Sequence, residues 1–301
     1  MTQPARVQIV EVSPRDGLQA EARTLPTEVK LELLDRLADA GLTAIEATSF
    51  VSPNAVPQLA DADDLLTRLK RRPGVRYQVL VPNERGLERA LAAGADEIAV
   101  FVSASESYSQ KNLRRGSAEA VATACVVVKL AVARGLRVRG YVSMVIEDPD
   151  DGPTDPDAVI TTGTALLDAG CVELSLGDTI GTGTPAQVRR LLDALRSAKI
   201  APDRLAVHFH DTYGQGLANV LTAIENGVTV VDASVGGIGG SPFAKGKGAS
   251  GNLATEDVVW MLDGMGIETG VDVRKLAATA HWMAAQLGRE LPGRAARALF
   301  G

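Results

Sequence analysis

The chain has 301 residues, with 31 Lys and Arg set against 37 Asp and Glu for a formal net charge of -6. That length can bury a large core, as one barrel or as two smaller domains. The acidic balance and an aromatic content of only 4% argue against a nucleic-acid partner. Cys125 and Cys171 lie in or beside apolar runs, which suits buried thiols in a reducing compartment. No run reaches membrane-spanning length and no signal-like N-terminal segment is present, so the expectation is a cytoplasmic protein with no membrane partner.

Strand-like and helical patterns alternate along the chain. Val7 to Val12 is the first expected strand, ending at Ser13-Pro14-Arg15-Asp16-Gly17, and leucines at helical spacing follow from Thr27 to Ala40. Ala44 to Phe50, Tyr77 to Val81, Glu97 to Ser103 and Arg137 to Ile146 are the next strands. The helices between them run over Asp61 to Lys70, Glu84 to Ala93 and Ala118 to Ala133. A polar loop is expected through Gln110, and a solvated acidic turn from Glu147 to Asp155. Pro156 to Ala169, Pro185 to Ala198 and Leu217 to Asn226 read as helices, and Val172 to Leu176, Leu205 to His210 and Val228 to Val235 as strands. A glycine-rich loop, Gly236 to Gly251, leads into the Thr255 to Met265 helix.

Eight strands alternating with eight helices predict one (β/α)8 TIM barrel spanning residues 1–301. Its last part, 273–301, reads as a C-terminal helix (Val273 to Leu287) and a loosely packed tail. A dinucleotide-binding fold is the competitor, but no Gly-x-Gly-x-x-Gly follows the first strand.

In such barrels the strand C-termini and the loops after them form the active face. Asp16, Glu46, Asp178, His208, His210 and Asn252 all fall there. His208 and His210 share one face of a strand end, and Asp16 approaches them across the seam between the first and eighth strands. An Asp, two His and an Asn carbonyl suit a catalytic site for Mg²⁺, Mn²⁺ or a related ion; the plainer alternative is ordinary strand-end histidines. Arg15, in a tight turn, is placed to neutralise charge growing on a carbonyl oxygen, or else to form a surface salt bridge with Asp16 or Glu46.

Five segments then carry a specific resemblance: Val10 to Gln19 (VEVSPRDGLQ), Ile45 to Pro53, Ser175 to Gly181, His208 to Gly214 and Gly248 to Asp257. In this order they resemble the hydroxymethylglutaryl-CoA lyase family of metal-dependent barrels. The resemblance implies cleavage of 3-hydroxy-3-methylglutaryl-CoA, an acyl-CoA substrate, to acetyl-CoA and acetoacetate. It further implies that Asp16, His208, His210 and Asn252 bind the metal, that Glu46 shapes the site, that Arg15 stabilises the enolate, and that Asp178 helps handle the proton. The chain departs from the family at Ser241, which stands where the family has a catalytic cysteine. A hydroxyl is a weaker acid than a thiol, so Ser241 is a candidate catalytic residue that changes the chemistry.

Lys245 and Lys247 in the same loop are candidate contacts for CoA phosphates, or else plain exposed lysines. Lys111-Asn112 with Arg114-Arg115 allows CoA contact or solubility alone, and His281 beside Trp282 reads as packing. Three readings stand: the named lyase; a lyase or synthase on a related 3-hydroxyacyl-CoA or hydroxy acid; and a non-catalytic metal-binding barrel, which would not need Arg15. A homodimer is one open option for assembly.

Overall fold

A computed structural model describes residues 3–240 and 251–300. Eight parallel strands close into a barrel: β1 (Gln8–Glu11), β2 (Ala44–Ser49), β3 (Arg76–Leu80), β4 (Glu97–Ser103), β5 (Arg137–Ser143), β8 (Glu173–Asp178), β9 (Leu205–Phe209) and β10 (Val230–Ala233). β6 (Glu147–Asp148) and β7 (Gly152–Pro153) form a separate antiparallel pair. The ring closes where β1 pairs with β10, with Gln8 opposite Val230 and Glu11 opposite Ala233. That seam sets the loop carrying Arg15 and Asp16 beside the loop that follows β10.

The helices are α1 (Thr27–Asp39), α2 (Ala62–Arg68), α3 (Glu84–Ala92), α4 (Glu106–Leu113), α5 (Ser117–Val132), α6 (Pro156–Ala169), α7 (Pro185–Ser197), α8 (Gly216–Glu225), α9 (Thr255–Gly264), α10 (Val273–Leu287) and α11 (Arg294–Phe300). Among the described residues no helix is long and apolar enough to cross a membrane.

Strand alternation divides the polar from the apolar. One set of positions, including Ile45, Val79, Ile98, Val138, Leu174, Leu176 and Phe209, joins the main apolar core with the helices. The other set faces inward and carries Glu46, which meets Arg15, and Gln78, Arg139, Tyr141, Ser175, His208 and Asp232, which are linked by hydrogen bonds across the barrel. Two small apolar clusters share that interior, around Val10 and Val12 and around Leu80, Ala99 and Tyr141.

Two expectations are corrected. The stretch taken for a polar loop through Gln110 is α4, started by Ser105, whose hydroxyl accepts from Tyr108 N–H at 3.0 Å. The segment beyond Leu287, expected to be a loosely packed tail, is strapped to the barrel. Gly236 has φ +68°, a conformation open to glycine, and Leu291 lies where its Cβ would be. Gly293 N–H donates to the Gly236 carbonyl at 3.2 Å, and Asp257 accepts from the Arg294 and Ala295 N–H groups, starting α11. His281 packs near the Phe300 ring at 6.2 Å, as expected of a packing residue.

Candidate active site

After β1 the chain makes one wide turn over Ser13–Gly17, in which Gly17 N–H reaches back to the Val12 carbonyl at 3.1 Å. A side chain at Gly17 would press on Ile238, since a Cβ there would lie 2.7 Å from Ile238 Cγ1. Glu11 pins this turn: it accepts from Ser13 N–H, from Val235 N–H beyond β10, and from the Thr255 hydroxyl at the start of α9. The buried carboxylate thus joins the three segments that surround the site.

The turn presents Arg15 and Asp16. Arg15 Nε donates to Glu46 Oε2 at 2.7 Å and Nη1 to Asp16 Oδ1 at 2.6 Å, which fixes the plane of its guanidinium. Burial alone would loosen its proton, but Glu46 and Asp16 outweigh that and hold it more tightly than in water. Glu46 is driven the other way by burial, above the ordinary carboxylate range, with Arg15 only partly offsetting the effect. Its Oε1 finds no hydrogen-bond partner among the described residues.

Asp16 meets the two histidines of β9's C-terminal end. Ligand atoms of Asp16, His208 and His210 lie within 4.8 Å of one another, and His208 Nε2 is 3.9 Å from Asp16 Oδ2. Burial opposes charge on Asp16, yet Arg15 and the histidines overcome it and lower the carboxyl to about 2. Burial and the neighbouring His208 lower His210 to about 4, keeping it a neutral donor of a lone pair. One carboxylate and two imidazoles at this spacing fit a divalent ion. Asn252 reaches the cluster through its amide nitrogen, which donates to Asp16 Oδ2 at 2.8 Å and to the Ile238 carbonyl at 3.2 Å.

A cavity of about 830 Å³ opens over this group, lined by Arg15, Asp16, Tyr108, Tyr141, His208 and His210 among others. Gly239 and Gly240 form part of its edge, and a side chain at Gly251 would run into the backbone of both. Ser241, Lys245 and Lys247 lie outside the described residues. Of the small basic patch, Asn112 lines the cavity, whereas Lys111 is tied to Asp150.

Asp178 is not brought to the cavity. It pairs in register with Phe209 and shares the parity of Leu174 and Leu176, so its carboxylate points outward and accepts from Gly183 N–H at 2.9 Å. Burial raises it to about 6 despite the loop N–H groups around it. Its place is in bracing the loop after β8. The acidic stretch 147–151 does not line the cavity, and it is a solvated turn except at Asp148, which is buried. Asp151 accepts from Ser107 N–H in the first turn of α4 at 3.0 Å, and Asp148 accepts from the hydroxyl of Ser105, the residue that starts that helix, at 2.7 Å.

A family profile described as HMGL-like matches residues 6–283, more than nine-tenths of the chain. The chain belongs to the HMGL-like family. This HMGL-like chain is 50% identical over 296 residues to the Hydroxymethylglutaryl-CoA lyase, mitochondrial, of Arabidopsis thaliana, covering 98% of its own length and 63% of that protein's. Among solved structures it is similar to the HMG-CoA lyase of Bacillus subtilis, with a TM-score of 0.97, 44% identity and full coverage of both chains. It is also similar to an HMG-CoA lyase from Acinetobacter baumannii solved in complex with coenzyme A and 3-methylmalate. There the TM-score is 0.92 and the identity 37%, over 99% of this chain and 97% of that one.

The residues that sequence reasoning missed are Asp232, Arg139 and Tyr141 inside the HMGL-like barrel, and Glu11 on the outer side of β1. Arg139 lies in the Arg137 to Ile146 segment, which was read only as a strand, yet a charged residue at an inward strand position is itself a signal that a partner waits across the barrel.

Proposed function

We propose that this protein is a divalent-metal-dependent carbon–carbon lyase that cleaves 3-hydroxy-3-methylglutaryl-CoA to acetyl-CoA and acetoacetate. The observation that carries this reading is the junction of Arg15 with Asp16. An anchored guanidinium is fused to the Asp16–His208–His210 cluster at the floor of one cavity. Membership of the HMGL-like family and the likeness to lyases over nearly the whole chain support the same reaction.

Asp16, His208 and His210 would hold the ion, and Asn252, already bonded to Asp16, is assigned as a fourth ligand. Bound there, a Mg²⁺ or Mn²⁺ ion supplies a Lewis acid for substrate oxygens. The substrate's tertiary hydroxyl loses its proton, the C2–C3 bond breaks to give acetoacetate and the enolate of acetyl-CoA, and a proton returns to C2. Arg15 answers the enolate charge, and Glu46 keeps its fork in place. Tyr108, whose phenol burial and the charge of Asp16 raise to about 12, holds its proton at the cavity wall at neutral pH.

The test is acetyl-CoA and acetoacetate release from 3-hydroxy-3-methylglutaryl-CoA with Mg²⁺ or Mn²⁺, in the wild type beside Ser241→Cys. Turnover by the wild type is expected. A folded, metal-loaded wild type without turnover would move the assignment to a related 3-hydroxyacyl-CoA, and a gain in Ser241→Cys would place the difference at that residue.

A further inference from the structure

His208 Nδ1 lies 3.2 Å from Asp232 Oδ2, on the side of the ring away from Asp16. Asp232 is buried in the barrel interior and is itself held from three directions. Arg139 donates through Nη2 to Oδ1 at 2.6 Å and through Nη1 to Oδ2 at 3.1 Å, and the Ser175 hydroxyl donates to Oδ2 at 2.8 Å. Arg139 is fixed in turn by Glu173 at 2.7 Å and by the Tyr141 hydroxyl at 3.2 Å. Its guanidinium lies 5.1 Å from the centre of the Tyr141 ring, and that of Arg15 lies 5.4 Å from the same centre.

We infer that Asp232 is a positioning residue for the metal site: it holds the proton of neutral His208 on Nδ1 and so presents Nε2, unprotonated, to the ion. This rests on the metal site of the proposed lyase. A carboxylate beside the far nitrogen of a ligating imidazole sets both its tautomer and its ring orientation, and losing such a partner costs metal affinity about 10- to 100-fold. Here the carboxylate cannot turn away, because Arg139 grips both of its oxygens. The barrel interior below the cavity is therefore a support for the metal ligands, with Arg139 holding Asp232 as Asp232 holds His208.

Asp232→Ala is the informative substitution. An amide could still turn its oxygen to Arg139 Nη1, Ser175 and His208 Nδ1, whereas alanine removes the acceptor outright. His208 then has no carboxylate at Nδ1 and should carry its proton on Nε2, the nitrogen the ion needs. Mn²⁺ affinity and the His208 tautomer, read from imidazole ¹⁵N shifts, should be measured together in the metal-free and Mn²⁺-titrated protein.

Metal-free wild type above the histidine titration should show the Nδ1–H tautomer at His208. Asp232→Ala should shift it toward Nε2–H and bind Mn²⁺ 10- to 100-fold more weakly. An Nε2–H tautomer in the wild type would overturn the inference without need of any variant. So would Asp232→Ala that folds and binds Mn²⁺ within about threefold of wild type. Wild type that binds no Mn²⁺ at all would remove the metal reading, and the inference with it.

Discussion

Arg15 Nε donates to Glu46 Oε2 at 2.7 Å, a contact between the turn after β1 and the inner face of β2, and the same guanidinium reaches Asp16 through Nη1. The pairing is sealed from water, since Glu46 is fully buried and the Arg15 side chain is only 7% exposed. Lysine at this position would keep the charge but make one point contact in place of the fork. Arg15→Lys is expected to lower kcat about 100-fold or more while Mn²⁺ affinity stays within a fewfold of wild type. Unchanged kcat would take Arg15 out of the enolate role.

Metal removal should abolish turnover, and His210→Ala should do so chiefly by losing the ion. His210 sits against Asn252 through a backbone bridge and has its ring centre 5.3 Å from that of His208, so its loss breaks the cluster without disturbing the outer core. Dialysis against EDTA followed by Mn²⁺ titration checks this in both proteins. Wild type should regain activity, and the variant should require much higher Mn²⁺. Full activity in EDTA-treated, metal-free protein would sink the metal-dependent reading.

Asp16, His208 and His210 were legible in the sequence because each lies at a strand end, where a two-residue period and the closure of an eight-stranded ring suffice to bring them together. Asp178 was misplaced because the sixth strand was ended at Leu176: the strand runs on to Asp178, whose two-residue period sets it with Leu174 and Leu176 on the outer face, opposite Phe209. Asp232 and Arg139 are 93 residues apart, and nothing local marks them as partners until the barrel closes. The C-terminal strap escaped because its hold comes from glycines accepting side chains from elsewhere, at Gly236 and Gly293, and not from any periodic pattern of its own.

Asp148 ties the acidic hairpin to the cavity wall. It is buried, accepts from the Ser105 hydroxyl and from two backbone N–H groups of its own turn, and so steadies the start of α4, whose Tyr108 and Asn112 line the cavity. Asp148→Ala leaves those donors unpaired, at a cost of about 1–3 kcal/mol. The expected result is a lower Tm and a KM raised severalfold, with kcat less affected. A lowered Tm with unchanged KM would separate the hairpin from substrate binding.

Glu256 couples the C-terminal strap to pH. Its Oε2 accepts from Gly236 N–H at 3.0 Å, its Oε1 has no partner among the described residues, and Gly293 packs so closely that a Cβ there would run into Oε1. Burial raises its carboxyl from 4.5 to about 8, with the Gly236 N–H pulling the other way. Between those values the folded chain keeps a proton that the unfolded chain has released, so the native state binds more protons and stability falls as pH rises through this window. The loss is complete once the pH passes about 8, and at about 1.4 kcal/mol per pH unit it is worth at most roughly 5 kcal/mol. Glutamine is neutral throughout and lacks this dependence. The Tm of Glu256→Gln minus that of wild type should therefore grow from pH 5 to pH 8 and level off above it, by thermal denaturation in buffers of matched ionic strength. Parallel Tm curves over that range would mean that Glu256 ionises in the folded protein as it does in the unfolded chain, and that the strap tolerates its charge.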